Sequence, residues 1–319
     1  MPNSKINYLE IIRQAAGITW RNKYLWWFGF FVLLGAAGGG FSRYSPNKEV
    51  ADKQKIFELI SAHREWAIFA GLAMFVLWIV LLVVGVTGRG ALIKSVNDII
   101  ERKETSFKSG WKEGKKYFWK ILFIGLLSGA FILALLIVFA IPIGFLFYNK
   151  AYFLGGALSL LAIAIFIPVV FLVSFTRMYG YLYVALSDLP LGEALENAYA
   201  LLRKNIANSL ILALIFLVAG AVATLAALLV IIPLVVLFFI MGMLLFLLAK
   251  QIGATITAAI AVFFILIFMF LGGAAYQVFA HAVLVLFFRE IASPKEEEKI
   301  TEPAEEINPA HATDPIIGS

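Results

Sequence analysis

Five stretches of this chain contain no Asp, Glu, Lys or Arg and are each long enough to cross a bilayer: 66–88, 121–149, 151–176, 209–249 and 251–288. A sixth, shorter stretch, 24–42, is also free of charge. A bilayer core about 30 Å thick is crossed by roughly 20 apolar residues in a helix. Inside lipid every backbone amide must find its partner within the protein, so runs of this kind are helical. A hydrophobic fraction of 62% excludes an ordinary soluble domain. The expected fold class is therefore all-α, a polytopic membrane protein.

The net charge of +6 is read against that membrane. Nineteen of the 26 Lys and Arg fall in four segments: 1–23, 89–120, 177–204 and the chain after 288. The other seven, Arg43, Lys48, Lys53, Lys55, Arg64, Lys150 and Lys250, lie in the alternate loops. Basic residues gather on the cytoplasmic side of a membrane protein. Both termini are thus expected in the cytoplasm, with an even number of crossings, and no nucleic-acid partner is implied. Because 23 residues precede the first apolar run, 24–42 is expected to be an uncleaved first crossing rather than a signal peptide.

A threefold repeat organises the chain. Each unit holds an amphipathic cytoplasmic helix, a basic step, an outward crossing and a returning one. The steps are Arg21-Asn22-Lys23-Tyr24, Lys115-Lys116-Tyr117-Phe118 and Arg203-Lys204-Asn205-Ile206. Gly90-Ala91-Leu92 leading to Asp98 mirrors Gly180-Tyr181-Leu182 leading to Asp188. Ser128-Gly129-Ala130 before Ile141-Pro142 mirrors Ala219-Gly220-Ala221 before Ile232-Pro233 at the same spacing. The 41 residues of 209–249 are enough for two crossings. The repeat instead equates 209–233 with 121–142, a single crossing, and leaves 234–253 as an apolar insertion at the outer tip, with a kink expected at Pro233.

The expected architecture is six transmembrane helices in three helical hairpins, spanning about 24–42, 66–88, 121–149, 151–176, 209–240 and 254–288. These make one integral domain over 1–292, followed by a disordered acidic cytoplasmic tail over 293–319, whose seven acids and four prolines leave little to bury. Three amphipathic helices are expected in the headgroup plane, apolar face down. In the third, Leu191, Ala194, Leu195, Ala198 and Leu202 share a face, and Asp188 and Pro190 suit its start. Ile6, Leu9, Ile12 and Ala16 give the first, and Phe107, Trp111 and Phe118 the second, which Gly110 and Gly114 weaken. Trp20, Trp26, Trp27, Trp111, Tyr117 and Trp119 fall where an interfacial aromatic belt is expected. The outer loop 41–64 is polar, with a short helix expected after Pro46 and Asn47.

The long spans lack the residues that do chemistry. The chain has no cysteine, and His63, His281 and His311 have no metal-ligand spacing. No phosphate loop or nucleophile triad is present, so no cofactor, metal or enzymatic activity is expected. Proton- and ion-coupled carriers place charges within the bundle, and the five long spans have none. Gln277 and His281 form the candidate intramembrane polar site. Arg89, Lys94, Lys112, Lys115, Lys116 and Lys120 are candidate contacts for anionic lipid headgroups, each attracted by about 1 kcal/mol near the surface. The glycines of 35–40 and Gly272-Gly273 suit close helix packing, and Gly125 and Gly129 form a GxxxG match.

The stretch from Tyr181 through Ser187-Asp188-Leu189-Pro190-Leu191-Gly192-Glu193-Ala194 to Asn205 resembles a signature of certain six-span bacterial membrane proteins. Ile141-Pro142 and the closing Val285–Glu290 are similar too. That superfamily includes the membrane domain of some glycerophosphoryl diester phosphodiesterases and related uncharacterised families. The resemblance covers 6–291 and implies the fold and a bacterial cytoplasmic (inner) membrane location. The phosphodiesterase chemistry belongs to a separate soluble domain there, so it does not carry over. The expected function is non-enzymatic: organising membrane lipids or a membrane-protein partner at the cytoplasmic face. The alternative is a passive or facilitated carrier of a lipid-like or apolar solute.

Overall fold

A computed structural model of the protein describes residues 6–37 and 64–292. The polar outer loop and acidic tail, with His63 and His311, lie outside the described residues. Every regular element within them is an α-helix: α1 (Tyr8–Arg21), α2 (Leu25–Ala37), α3 (Arg64–Ile100), α4 (Phe107–Lys116), α5 (Phe118–Tyr148), α6 (Tyr152–Ser187), α7 (Leu191–Lys204) and α8 (Ile206–Ala292). Four segments are long and apolar enough to cross a membrane: Ile68–Ile100, Phe118–Tyr148, Tyr152–Ser187 and Ile206–Ala292. Leu25–Ala36 is apolar but shorter. This is the build of a multi-pass, membrane-embedded α-helical protein.

The 87 residues of α8 are two helical arms, 206–249 and 251–292, separated by Lys250 at φ 50 and ψ −136. The arms lie side by side. The Phe238 ring stacks on Phe264 at 5.8 Å, and the Tyr276 hydroxyl donates to the Phe216 carbonyl at 3.3 Å. The helix runs through Pro233 and breaks at Lys250, so 234–249 continues the first arm instead of forming a separate insertion. Lipid supplies no competing partner for backbone groups, so an apolar run without a stop signal keeps its helix. At 1.5 Å per residue each arm is about 63–66 Å long.

The other reversals have legible caps. Arg102 at φ 56 and Lys150 at φ 59 close α3 and α5 in the left-handed region. In each case the next residue's N–H reaches back five positions: Lys103 to Asp98 at 2.8 Å and Ala151 to Leu146 at 3.0 Å. That is the Schellman pattern, which satisfies the last carbonyls of a helix.

The buried core lies at one end, among the short helices. It includes Ala15, Leu25, Phe28, Leu92, Val96, Ile121, Ile124, Tyr179, Leu182, Ala198, Leu202, Leu212, Val278 and Phe287. Beyond this base the long helices are exposed over most of their surface, as Leu72, Phe153, Leu229 and Leu248 show, with Ala162 and Thr257 buried where helices meet. Lipid tails are as apolar as leucine, so the crossings gain little by covering each other.

The apolar faces of α1, α4 and α7 are turned onto the base. α1 buries Ile11, Ala15 and Thr19, and Tyr8 stacks on Phe287 at 6.3 Å. α7 buries Ala194, Ala198, Leu201 and Leu202. In α4, Phe107 stacks on Phe28 at 5.0 Å and Trp111 meets Phe31 at 5.3 Å. Gly110 and Gly114 serve close approach. A Cβ at Gly110 would lie 2.9 Å from the Phe28 ring, and one at Gly114 would lie 2.9 Å from Ala91. Gly129 behaves differently: a Cβ there meets nothing within 4 Å, while Gly35 and Gly85 are in direct backbone contact.

Candidate functional site

The six basic residues expected to face lipid headgroups divide by what they already touch. Lys116 and Lys120, one turn apart across the α4–α5 junction, converge on Asp188, at 2.9 Å from Oδ2 and 3.0 Å from Oδ1. Lys120 also donates to the Asp188 and Leu189 carbonyls at 3.3 and 3.2 Å. Lys116 sits 4.9 Å from the centre of the Tyr117 ring. Lys94 pairs with Asp98 at 3.8 Å. Lys112 and Lys115 are exposed and form no ion pair among the described residues.

Asp188, expected with Pro190 at the start of α7, instead closes α6 at φ 52, and Pro190 is the N-cap of α7. The two lysines, Lys116 first, hold the Asp188 carboxyl below the usual carboxylate range. The same contact raises Lys116 above the usual lysine range. At the end of α3, Lys103 at 2.6 Å and then Asn97 pull Glu101 down to about 2. Arg289 of α8 donates to Glu101 and Asn97 at 3.1 and 2.9 Å. Carboxyl groups depressed on folding contribute stability that is present above their unfolded pKa and lost as pH falls through the folded value. For Glu101 that window runs from about 4.5 down to about 2. The thermal midpoint in detergent is expected to be level above this window and to fall within it. Asp188→Asn keeps a residue that tolerates the left-handed backbone but removes the charge, and should flatten the Asp188 part of that fall.

Arg89 stands apart from the lysines. It is half-buried in α3, its Nη1 donates to the Tyr181 hydroxyl at 3.4 Å, and its guanidinium lies 5.3 Å from the Tyr181 ring centre. On α8, His281 and Gln277 are half-buried, and His281 Nδ1 is 2.8 Å from the Gln277 carbonyl. The two residues share a helix face, as their four-residue spacing implies. No group of His, Asp and Glu among the described residues is arranged to hold a metal ion.

A second feature was not singled out from the sequence. A groove of about 970 Å³ runs between α1 and the two arms of α8. Its floor is made of small residues at helical spacing: Ala219, Ala223, Ala226 and Ala227 on one arm, Gly272 and Ala275 on the other. Ile12, Ala16, Trp20 and Trp26 wall its base end. From Leu214 to Ile231 the groove follows 17 residues of helix, about 26 Å, close to the thickness of a bilayer core. The alanine spacing is visible in the sequence, but only the fold-back at Lys250 and the position of α1 turn it into a channel.

No family model matches the chain, and no curated protein or solved structure is significantly similar to it.

Proposed function

We propose that this protein is a six-crossing, three-hairpin protein of the bacterial cytoplasmic membrane that retains phospholipid and organises it at the cytoplasmic face without acting as an enzyme. The base and both termini are cytoplasmic, and the charged tips Lys150 and Lys250 are outside. Three successions of a short base helix followed by two apolar helices support the repeat, α2 being the short member. The superfamily suggested by 181–205 belongs to the same proposal.

The observation that carries the lipid reading is the groove between α1 and α8. Its wall is nearly all apolar, it is as long as a crossing, and two tryptophans sit at its base end. Tryptophan favours the level where acyl chains give way to headgroups. Trp20 and Trp26 meet edge to face at 5.5 Å, and Trp26 Nε1 donates to the Thr19 carbonyl at 3.0 Å, which fixes that rim. Arg13, exposed on α1, lies two helical turns before Trp20 and so on the same side. An acyl chain in the groove would leave its phosphate near that guanidinium.

Ala223→Trp fills the groove, whereas Leu229→Trp places the same side chain on the exposed face of the same arm. After mild detergent extraction, native mass spectrometry of the parent and of Leu229→Trp should show one retained phospholipid. Ala223→Trp should lose it. Equal retention in all three proteins would remove the basis of the proposal.

A further inference from the structure

We infer that Arg89, Tyr181 and His281 form a binding site for a phosphate group, held between α3, α6 and the second arm of α8 at the inner headgroup level. In the sequence Arg89 belongs to a basic segment and His281 to an apolar run, and the fold brings their helices side by side.

Placement follows from the helix register. α2 runs against α3, with Gly35 opposite Gly85, and against the second arm, where Gly29 abuts Ala274 and Phe30 meets Phe270 at 5.4 Å. Being antiparallel to the same helix, α3 and that arm run in the same direction. Arg289 on the arm bonds Asn97 on α3, 192 positions earlier. Arg89 and His281 are separated by the same interval, which puts them at the same level of the two helices. Tyr181 reaches Arg89 from α6, and a Cβ at Gly125 of α5 would lie 3.1 Å from its hydroxyl.

The chemistry of the group points to an anion. A guanidinium has five N–H donors in a planar fork. Arg89 spends one on a long bond to a neutral hydroxyl, and no carboxylate among the described residues pairs with it. A half-buried cation without a counter-charge is costly, and in membrane proteins such groups mark ligand sites. The Tyr181 hydroxyl can donate to a phosphate oxygen. With His281 Nδ1 donating to the Gln277 carbonyl, Nε2 remains as an acceptor for a protonated phosphate oxygen. The level fits a headgroup. α4 crosses α3 here, Gly114 lying against Thr87 and Ala91, while the charge-free part of α3 ends at Gly88. Two sources can supply the group, a phospholipid or a soluble phosphate compound.

The test uses the full chain, purified and delipidated in detergent, titrated with dioleoyl phosphatidic acid and with dioleoylglycerol, which has the same chains and no phosphate. The parent should prefer phosphatidic acid by about tenfold or more, the range of one or two charge-assisted hydrogen bonds. Arg89→Gln should abolish that preference, Tyr181→Phe should reduce it severalfold, and Arg89→Lys should keep only part of it because the fork is lost. Tyr181→Phe retains the buried ring, so it decides the matter even if Arg89→Gln does not fold. Competition by inorganic phosphate would assign a soluble source; its failure to compete would assign a lipid. Ala223→Trp should leave the preference for phosphatidic acid unchanged, which separates this site from the groove. An unchanged preference in both Arg89→Gln and Tyr181→Phe overturns the site. So does a preference removed by the double change Lys112→Gln and Lys115→Gln, which would indicate diffuse surface attraction.

Discussion

Tyr179→Ala is expected to cost about 3–5 kcal/mol, the range for deleting a fully buried aromatic side chain. Tyr179 is fully buried in the base. Its ring meets Phe175 at 5.9 Å and Phe288 at 6.4 Å, and its hydroxyl is 2.7 Å from Ser209 Oγ. It therefore ties α6 to both arms of α8, and the void left by its loss opens where the base is held together. Tyr179→Phe removes only the hydroxyl. Ser209 keeps its bond to the Asn205 carbonyl at 2.9 Å, so this change should cost about 1 kcal/mol. Reversible denaturant unfolding in detergent measures both. A similar small cost for the two variants would show that the base does not depend on this contact.

Gly114→Ala should follow closely, at about 1–3 kcal/mol of overpacking. The new methyl group would meet the Thr87 carbonyl and lie 2.9 Å from Ala91, and a backbone carbonyl cannot swing aside as a flexible side chain does. Intrinsic propensity alone predicts the opposite sign, since alanine is favoured over glycine by about 1 kcal/mol inside a helix. Gly129→Ala supplies the comparison: with nothing within 4 Å of its Cβ, it should be neutral or slightly stabilising. The same unfolding experiment reads both, and if Gly114→Ala proves as mild as Gly129→Ala, α4 does not seat on α3 as described.

These two glycines show what the sequence could reveal. Membrane insertion and the all-helical class follow from charge-free runs and need no tertiary knowledge, whereas α3 and α6 continue to Ile100 and Ser187, past the ends of their runs at 88 and 176. Helix contacts are another matter. With 62% of residues hydrophobic, an apolar stripe facing protein and one facing lipid look alike in the sequence. Gly125 and Gly129 have the spacing of a packing motif yet Gly129 faces open space, while Gly114, which looks like a helix weakener, is a tight contact. Asp188 resembled a helix start because Pro190 follows it, but two lysines 68 and 72 positions earlier draw it to the end of α6. The candidate sites were legible as residue types. Arg89, Gln277 and His281 stood out as polar groups beside or within apolar runs, but the register that sets Arg89 and His281 at one level depends on α2 packing against both their helices.

The absence of native cysteine makes the central architectural claim directly measurable. Single cysteines at Lys150, Lys250, Arg102 and Lys204 can each be challenged with a membrane-impermeant maleimide in intact cells and again after permeabilisation. With the base in the cytoplasm and the long helices paired across the membrane, Lys150→Cys and Lys250→Cys should label in intact cells, and Arg102→Cys and Lys204→Cys only once the membrane is opened. Labelling Lys150→Cys and Lys250→Cys from opposite sides, or labelling either one from the same side as Arg102→Cys, would contradict the six-crossing arrangement.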